Sequence, residues 1–279
     1  MRCKVRASPW RALENCITDL TKTMQVLTNN VSRCRSRMPR RMLGEYIGPG
    51  TSKYTDYDAV VTERCCEWLA QRTERDDDQP WCLYVGLVAP HFPLVVPQEF
   101  YDMYPLDQLP DVILHPSTGY ARHPWLEKQN SGMESENNFH DAEERLRAMA
   151  VYCGLCSWLD DNFGPIMAAL DAVGLGADTT VIYTSDHGDN VGARGLWGKS
   201  NLYQESVAVP MIMAGPGVAQ GTCNTPISLL DVSATIPAQF GVPFDGDGQS
   251  LATIATATPN PDREILSRYH AAGPFRARS

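Results

Sequence analysis

The chain predicts an α/β fold in which a mostly parallel sheet carries helices on both faces. Three observations lead there. Apolar runs at residues 81–88 and 181–184 have the length and the β-branched or aromatic content of buried strands, and a third such run covers 209–213. Helical periodicity lies between the first two runs, with apolar positions at 142, 146, 149, 153 and 156 and again at 163, 167 and 170. Ser228-Leu-Leu-Asp231 then has the spacing of a capping box, so a further helix follows the third strand.

Each element has its own local reason. Residues 10–27 have amphipathic helical spacing, and the basic tract Arg33-Cys-Arg-Ser-Arg-Met-Pro-Arg-Arg41 after them reads as a solvated turn. A helix is expected over 57–72, ended by the acidic loop Asp76-Asp-Asp-Gln-Pro80. The strand at 81–88 runs into Ala89-Pro-His-Phe-Pro93, where two prolines halt pairing and fix His91 in a rigid loop. Residues 105–140, rich in Pro, His, Asn and Ser, read as a long surface excursion of the kind that covers a site. The helix beginning near Asp141 should kink or restart at Gly164-Pro165 and end near Gly174. The strand at 209–213 ends in Ala214-Gly-Pro-Gly217, and the capped helix runs from Ser228 towards Gly241.

Composition narrows the function. With 279 residues, 43% hydrophobic and 20% charged, the chain has ordinary globular make-up and can bury a substantial core. A formal net charge of −9 excludes general affinity for nucleic acid or for acidic membranes, so an anion site has to be a local positive spot. The N-terminus has no apolar stretch of signal-peptide length and no window reaches transmembrane length, which predicts a cytoplasmic protein without a membrane partner. Nine scattered cysteines, an odd number, predict reduced thiols; Cys153-Gly-Leu-Cys156 is read as a buried pair on a helix rather than a redox or metal site.

The chemistry concentrates in one segment. The run at 181–184 stops at Asp186-His187-Gly188-Asp189, so a carboxylate and an imidazole emerge where a strand reaches its carboxyl end, the place where open α/β sheets bind ligands. Asp186 and His187 together suit a divalent cation, and Lys199, twelve residues after His187, offers a positive charge to an anionic substrate. Arg194 and Glu205 read as a structural ion pair.

Thr184-Ser-Asp-His-Gly-Asp189, Gly195-Leu-Trp197, Lys199, Val209-Pro210 and Ala214-Gly-Pro-Gly217 closely resemble the sulfatase family of the alkaline phosphatase superfamily, nearest its choline-sulfatase and phosphonate monoester hydrolase branch. Leu83-Tyr84-Val85, Ala89-Pro-His-Phe-Pro93, Pro97-Gln-Glu-Phe-Tyr101, Ser228-Leu-Leu-Asp231 and Ser267-Arg-Tyr-His-Ala-Ala-Gly273 extend the likeness over roughly residues 42–273. The resemblance implies an alkaline-phosphatase-like α/β fold, incomplete here. It also implies a divalent metal cofactor, with Asp186 and His187 as ligands. A mixed oxygen and nitrogen shell favours manganese or zinc, with calcium and magnesium also open. Lys199 is implied to contact a sulfate oxygen and the bridging oxygen, and His91 to hydrogen-bond the same group and assist the leaving oxygen. The implied substrate is a small-molecule sulfate ester; the sequence sets no oligomeric state.

The family pattern is also broken in places. The family's nucleophile is a formylglycine made from the Cys of a Cys-x-Pro/Ala-x-Arg motif, and Cys34-Arg-Ser-Arg-Met38, the nearest approach, lacks the Pro or Ala and the final Arg. No early strand ending in paired aspartates is found in residues 1–33, and Ala208 stands where a basic residue is usual. The expected organisation is therefore a divergent N-terminal segment over 1–41 and a partial sulfatase domain over 42–279, truncated at both ends. The expected activity is impaired sulfate-ester hydrolysis. Two alternatives stay open: phosphate or phosphonate ester hydrolysis, which needs the same cation-and-donor logic, and a non-catalytic remnant that binds an anion or a partner.

Overall fold

The computed structural model describes residues 43–74, 80–130 and 139–268. The helix expected at 10–27, the basic tract at 33–41 and the boundary at 41 lie outside the described residues. In chain order the regular elements are β1 (Gly48–Pro49), α1 (Lys53–Ala70), β2 (Val95–Val96), α2 (Gln98–Tyr101), α3 (Pro124–Asn130), α4 (Ala142–Ala172), β3 (Val181–Thr184), α5 (Gln204–Val207), β4 (Met211–Ala214), α6 (Leu229–Gln239) and α7 (Leu251–Thr256). The described residues form two compact units, the larger of residues 43–74 and 267–268 with those described between 86 and 216, the smaller of residues 80–85 and 217–266.

In the larger unit, α4 is the scaffold. Asp141 caps it by accepting the Glu144 N–H at 2.8 Å, and Glu143 and Glu144 place negative charge in its first turn, where the helix dipole favours it. Its inward face carries Ala148, Val151, Leu155, Ile166 and Leu170. At 31 residues it is about 46 Å long. The helix does not restart at Gly164-Pro165: a single helix runs on through Pro165. Gly164 lacks the Cβ that would press on the proline ring, which removes one of the clashes that a proline brings to a helix interior.

Helix α1 packs on α4 and is capped reciprocally: Ser52 Oγ accepts the Thr55 N–H at 3.2 Å, while Thr55 Oγ1 accepts the Ser52 N–H at 2.8 Å. Its buried face carries Thr55, Asp58, Thr62, Cys65 and Leu69, and Thr62 Oγ1 donates to Asn162 of α4 at 3.0 Å. The short α2 approaches α4 at Gly154, where a Cβ would sit 2.9 Å from the Phe100 carbonyl oxygen. Leu43, Ile47, Leu94, Val96, Val151, Leu155 and Trp197 form the core around this contact.

Strand pairing among the described residues takes two short forms. β1 and β2 are parallel, with Gly48 opposite Val95 and Pro49 opposite Val96. β3 and β4 are antiparallel, from Val181 opposite Ala214 to Thr184 opposite Met211. Residues 81–88, expected as a buried strand, join neither ladder, and Tyr84 is exposed. Part of the reason is visible at the end of that run, where the Val88 and Ala89 N–H groups donate to the Asp58 carboxylate at 2.6 and 3.0 Å instead of to a neighbouring strand.

In the smaller unit the capping box at Ser228 forms as expected and opens α6, with the Ser228 N–H donating to Asp231 Oδ2 at 2.8 Å. Asp231 is fully buried and also accepts the Gln249 N–H and both terminal nitrogens of Arg263, at 2.7 and 2.8 Å.

The cysteines 65, 66, 82, 153, 156 and 223 are all free thiols. Cys153 and Cys156 lie one turn apart on α4; the expected burial of both is corrected, because Cys156 is exposed.

Candidate active site

Strand β3 delivers the site. The Thr184 hydroxyl donates to the Pro210 carbonyl at 2.9 Å and ties the end of β3 to the entry of β4. Pairing then stops, and Ser185 Oγ closes a tight turn by donating to the His187 carbonyl at 2.8 Å. Asp186 faces outward with its side chain 83% exposed; its Oδ1 accepts the His187 N–H at 3.0 Å and its Oδ2 lies 3.4 Å from His187 Nε2.

The His187 ring is oriented through Nδ1, which lies 2.8 Å from the Gly188 carbonyl. A carbonyl can only accept, so Nδ1 is assigned the proton and Nε2 presents a lone pair. Lys199 Nζ meets that atom at 2.5 Å. Behind the turn, the Gly188 N–H donates to the Ser206 carbonyl of α5 at 2.9 Å. Glycine is required there, because any Cβ would collide with the Glu205 carbonyl oxygen.

The loop from Asp189 to Ser200 is bent through several left-handed positions, including the non-glycine residues Val191, Arg194 and Ser200. It is held at many points. Asp189 Oδ1 accepts the Val191 and Gly198 N–H groups at 2.9 and 3.0 Å. Arg194 donates to Glu205 at 2.8 Å and lies 4.0 Å over the Tyr203 ring, forming the ion pair expected from sequence. The excursion at 105–140 also packs here: the Arg194 N–H donates to the Ile113 carbonyl at 3.1 Å, and Phe139 meets Trp197 edge-on at 5.1 Å.

His91 enters from a different part of the unit, between cis bonds at Ala89-Pro90 and Phe92-Pro93. Its N–H donates to the Val88 carbonyl at 3.0 Å, and its Nδ1 lies 2.7 Å from the Phe92 carbonyl, so this ring too is assigned an Nδ1 proton. Burial lowers its pKa; the Phe92 carbonyl opposes that, and the nearby Lys199 lowers it further. These influences together favour the neutral ring, which lies within electrostatic reach of Lys199.

The four residues singled out from sequence thus fall in one region, with His187 and Lys199 in direct contact, Asp186 beside the ring but turned outward, and His91 close by. Two further contributors escaped the sequence reading. Asp58 holds the backbone just before His91, and its only signal is a carboxylate within the buried stripe of α1. Asp189, inside the motif, grips the backbone just before Lys199.

The donor chemistry bears on a metal ion. The Nδ1 tether on His187 leaves Nε2 as the one lone-pair atom of the ring; Lys199 takes it here, so Nε2 would serve as a ligand only with Lys199 turned away, and Asp186 offers an exposed carboxylate next to it. These two fit a mixed oxygen and nitrogen shell. Among the described residues no group of three or more His, Cys, Asp or Glu is gathered closely enough to hold an ion.

A family profile described as Sulfatase matches residues 14–242. The chain belongs to the sulfatase family. This sulfatase-family chain is 32% identical to the choline-sulfatase of Rhizobium meliloti over 82% of its own length and 47% of the relative. It is also 32% identical to the multifunctional alkaline phosphatase superfamily protein PehA of Trinickia caryophylli, over 75% of the chain and 44% of the relative. Among solved structures, the phosphonate monoester hydrolase of Agrobacterium radiobacter superposes with a TM-score of 0.64 at 23% identity, covering 86% of this chain and 51% of that one. The fold is thereby alkaline-phosphatase-like α/β, as the sequence implied. The sulfatase-family chain spans about half the length of the curated relatives it matches. Among the described residues no helix is long and apolar enough to cross a membrane.

Proposed function

We propose that this region is part of a hydrolytic site for small-molecule sulfate esters, in which Lys199 and His91 face the sulfate group and Asp186 and His187 contribute to holding a divalent metal ion. The observation that carries the reading is the convergence of Lys199 on the His187 ring, fixed by Gly188, in a chain of the sulfatase family; for His187 to hold the ion, Lys199 would have to release Nε2 and turn to the sulfate. Cleavage of a sulfate ester develops charge on the peripheral and leaving oxygens, so fixed cations and donors supply most of the catalysis. When bound, the ion would act as a Lewis acid on those oxygens.

Lys199 contributes a positive point charge to the sulfate oxygens. His91, with its Nδ1 proton committed to the Phe92 carbonyl, would have to carry a second proton on Nε2, as imidazolium, to hydrogen-bond the sulfate and protonate the leaving oxygen, and burial opposes that form in the free site. The donor types favour manganese or zinc over magnesium and calcium. Turnover by these 279 residues alone is expected to be low, because the sequence contains no Cys-x-Pro/Ala-x-Arg segment to supply the family's nucleophile.

The test is binding of inorganic sulfate by calorimetry, with and without manganese, alongside hydrolysis of an aryl sulfate and an aryl phosphate ester. Lys199→Ala and His187→Ala should each weaken sulfate binding. Sulfate affinity unchanged in both variants would overturn the reading, and a preference for the phosphate ester would move the substrate to the alternative within the superfamily.

A further inference from the structure

Asp189 has no role in the reading above, yet its carboxylate sits at the base of the loop that joins His187 to Lys199. A single oxygen, Oδ1, accepts two backbone N–H groups, from Val191 at 2.9 Å and from Gly198 at 3.0 Å. The first bond closes the local turn. The second reaches across to the residue immediately before Lys199. The carbonyl of Gly198 is held as well: it accepts the Asn190 N–H at 2.9 Å and also the Asn190 side-chain amide. Asn190 is buried, and Gly198 turns through the left-handed region at φ 68° to pass the chain on to Lys199.

We infer that Asp189 is a positioning residue for Lys199: by gripping the Gly198 N–H it fixes the backbone from which the lysine stem reaches His187 Nε2. The clamp matters because a lysine side chain has a flexible four-carbon stem and loses much rotamer freedom when its ammonium is held in one place. A stem rising from a loosely tethered loop would spread the ammonium over many positions. With Gly198 clamped by N–H and carbonyl alike, the freedom left lies in the lysine alone. The residue type follows from the geometry. Asparagine keeps an acceptor oxygen at the same reach, whereas alanine keeps none. The functional meaning of this clamp rests on the proposed sulfate-binding role of Lys199; the geometric part does not.

The test uses the whole chain carrying Asp189→Ala or Asp189→Asn. The readouts are hydrogen exchange of the Gly198 amide, the nitrogen NMR shift of the His187 ring atom that faces Lys199, and calorimetric affinity for inorganic sulfate. In Asp189→Ala, Gly198 exchange should accelerate, the ring signal should move, and sulfate affinity should fall about tenfold or more. In Asp189→Asn all three should stay near those of the unsubstituted chain. Asp189→Ala with unchanged exchange and ring signal would overturn the inference. So would Asp189→Asn that loses the ring signal, since the effect would then belong to the charge. If the alanine variant does not fold, the ring signal of the asparagine variant decides alone. If the unsubstituted chain binds no sulfate while exchange and ring signal behave as expected, the sulfate reading fails and the positioning role stands.

Discussion

Lys199 Nζ lies 2.5 Å from Nε2 of His187, although the two residues are twelve positions apart in the chain. An ammonium carries three N–H donors, so one committed to the imidazole leaves two for the oxygens of an approaching anion. The imidazole in turn is pinned by its other nitrogen to Gly188. The contact is therefore built from both sides, and each side can be disturbed separately.

Gly188→Ala should break the support from behind. Its Cβ would meet the Glu205 carbonyl oxygen and stand 2.9 Å from that of Ala208, both backbone atoms that cannot swing away. We expect a stability loss of ~1–3 kcal/mol, typical of overpacking, together with weaker sulfate binding. Chemical denaturation and calorimetry on the same sample check both, and an unperturbed variant would show that α5 does not back the turn.

Arg194 and Glu205 link the loop to α5 through a pair whose side chains are 11% and 23% exposed. A double-mutant cycle with Arg194→Ala and Glu205→Ala should give a coupling energy of about 1–2 kcal/mol, above the value of a fully solvated pair. Additive single losses would mean that the pair is incidental.

Asp58 supports the other half of the site. Burial pushes its carboxyl above the usual range, and the Val88 and Ala89 N–H bonds pull it back. Asp58→Ala leaves those two N–H groups without their acceptor and should cost about 2 kcal/mol. Amide exchange at Val88 and Ala89 should rise in parallel, and exchange that stays slow would contradict the assignment.

A pH dependence should come from Asp231. Burial pushes its carboxyl up, but Arg263 and the Gln249 and Ser228 N–H groups outweigh that and leave it below its ordinary value. A depressed carboxyl contributes stability that is fully present above its unfolded pKa of about 4 and is lost as pH falls through the lower folded value. The stability difference between the unsubstituted chain and Asp231→Asn should thus be constant from neutral pH down to about 5 and shrink below about 4. Urea titrations at stepped pH measure it; a difference that grew on acidification would reverse the sign.

Much of this was legible in the sequence, for local reasons. Ser228 and Asp231 signal a cap through contacts three residues apart, and Asp186 and His187 announce themselves because a β-branched run stops just before them. Arg194 and Glu205 were read correctly because opposite charges at a strand end tend to pair. One failure depended on a partner distant in sequence. The run at 81–88 has strand composition, but its final N–H groups are taken by Asp58, thirty residues upstream of Val88. Pro165 signals a restart by local rule, yet α4 continues through it as one helix. The role of Asp189 in holding Gly198 was hidden because an aspartate after glycine looks like any turn residue.

The left-handed bends between Val191 and Ser200 have a practical consequence for engineering. Each bend fixes how the chain is aimed at the next, so the number of residues from imidazole to amine behaves as a calibrated length. Inserting or deleting a single residue there would swing the lysine off target. Anyone transplanting this chemistry to another scaffold must move the turn, its carboxylate clasp and the short helix behind it together, as one cassette.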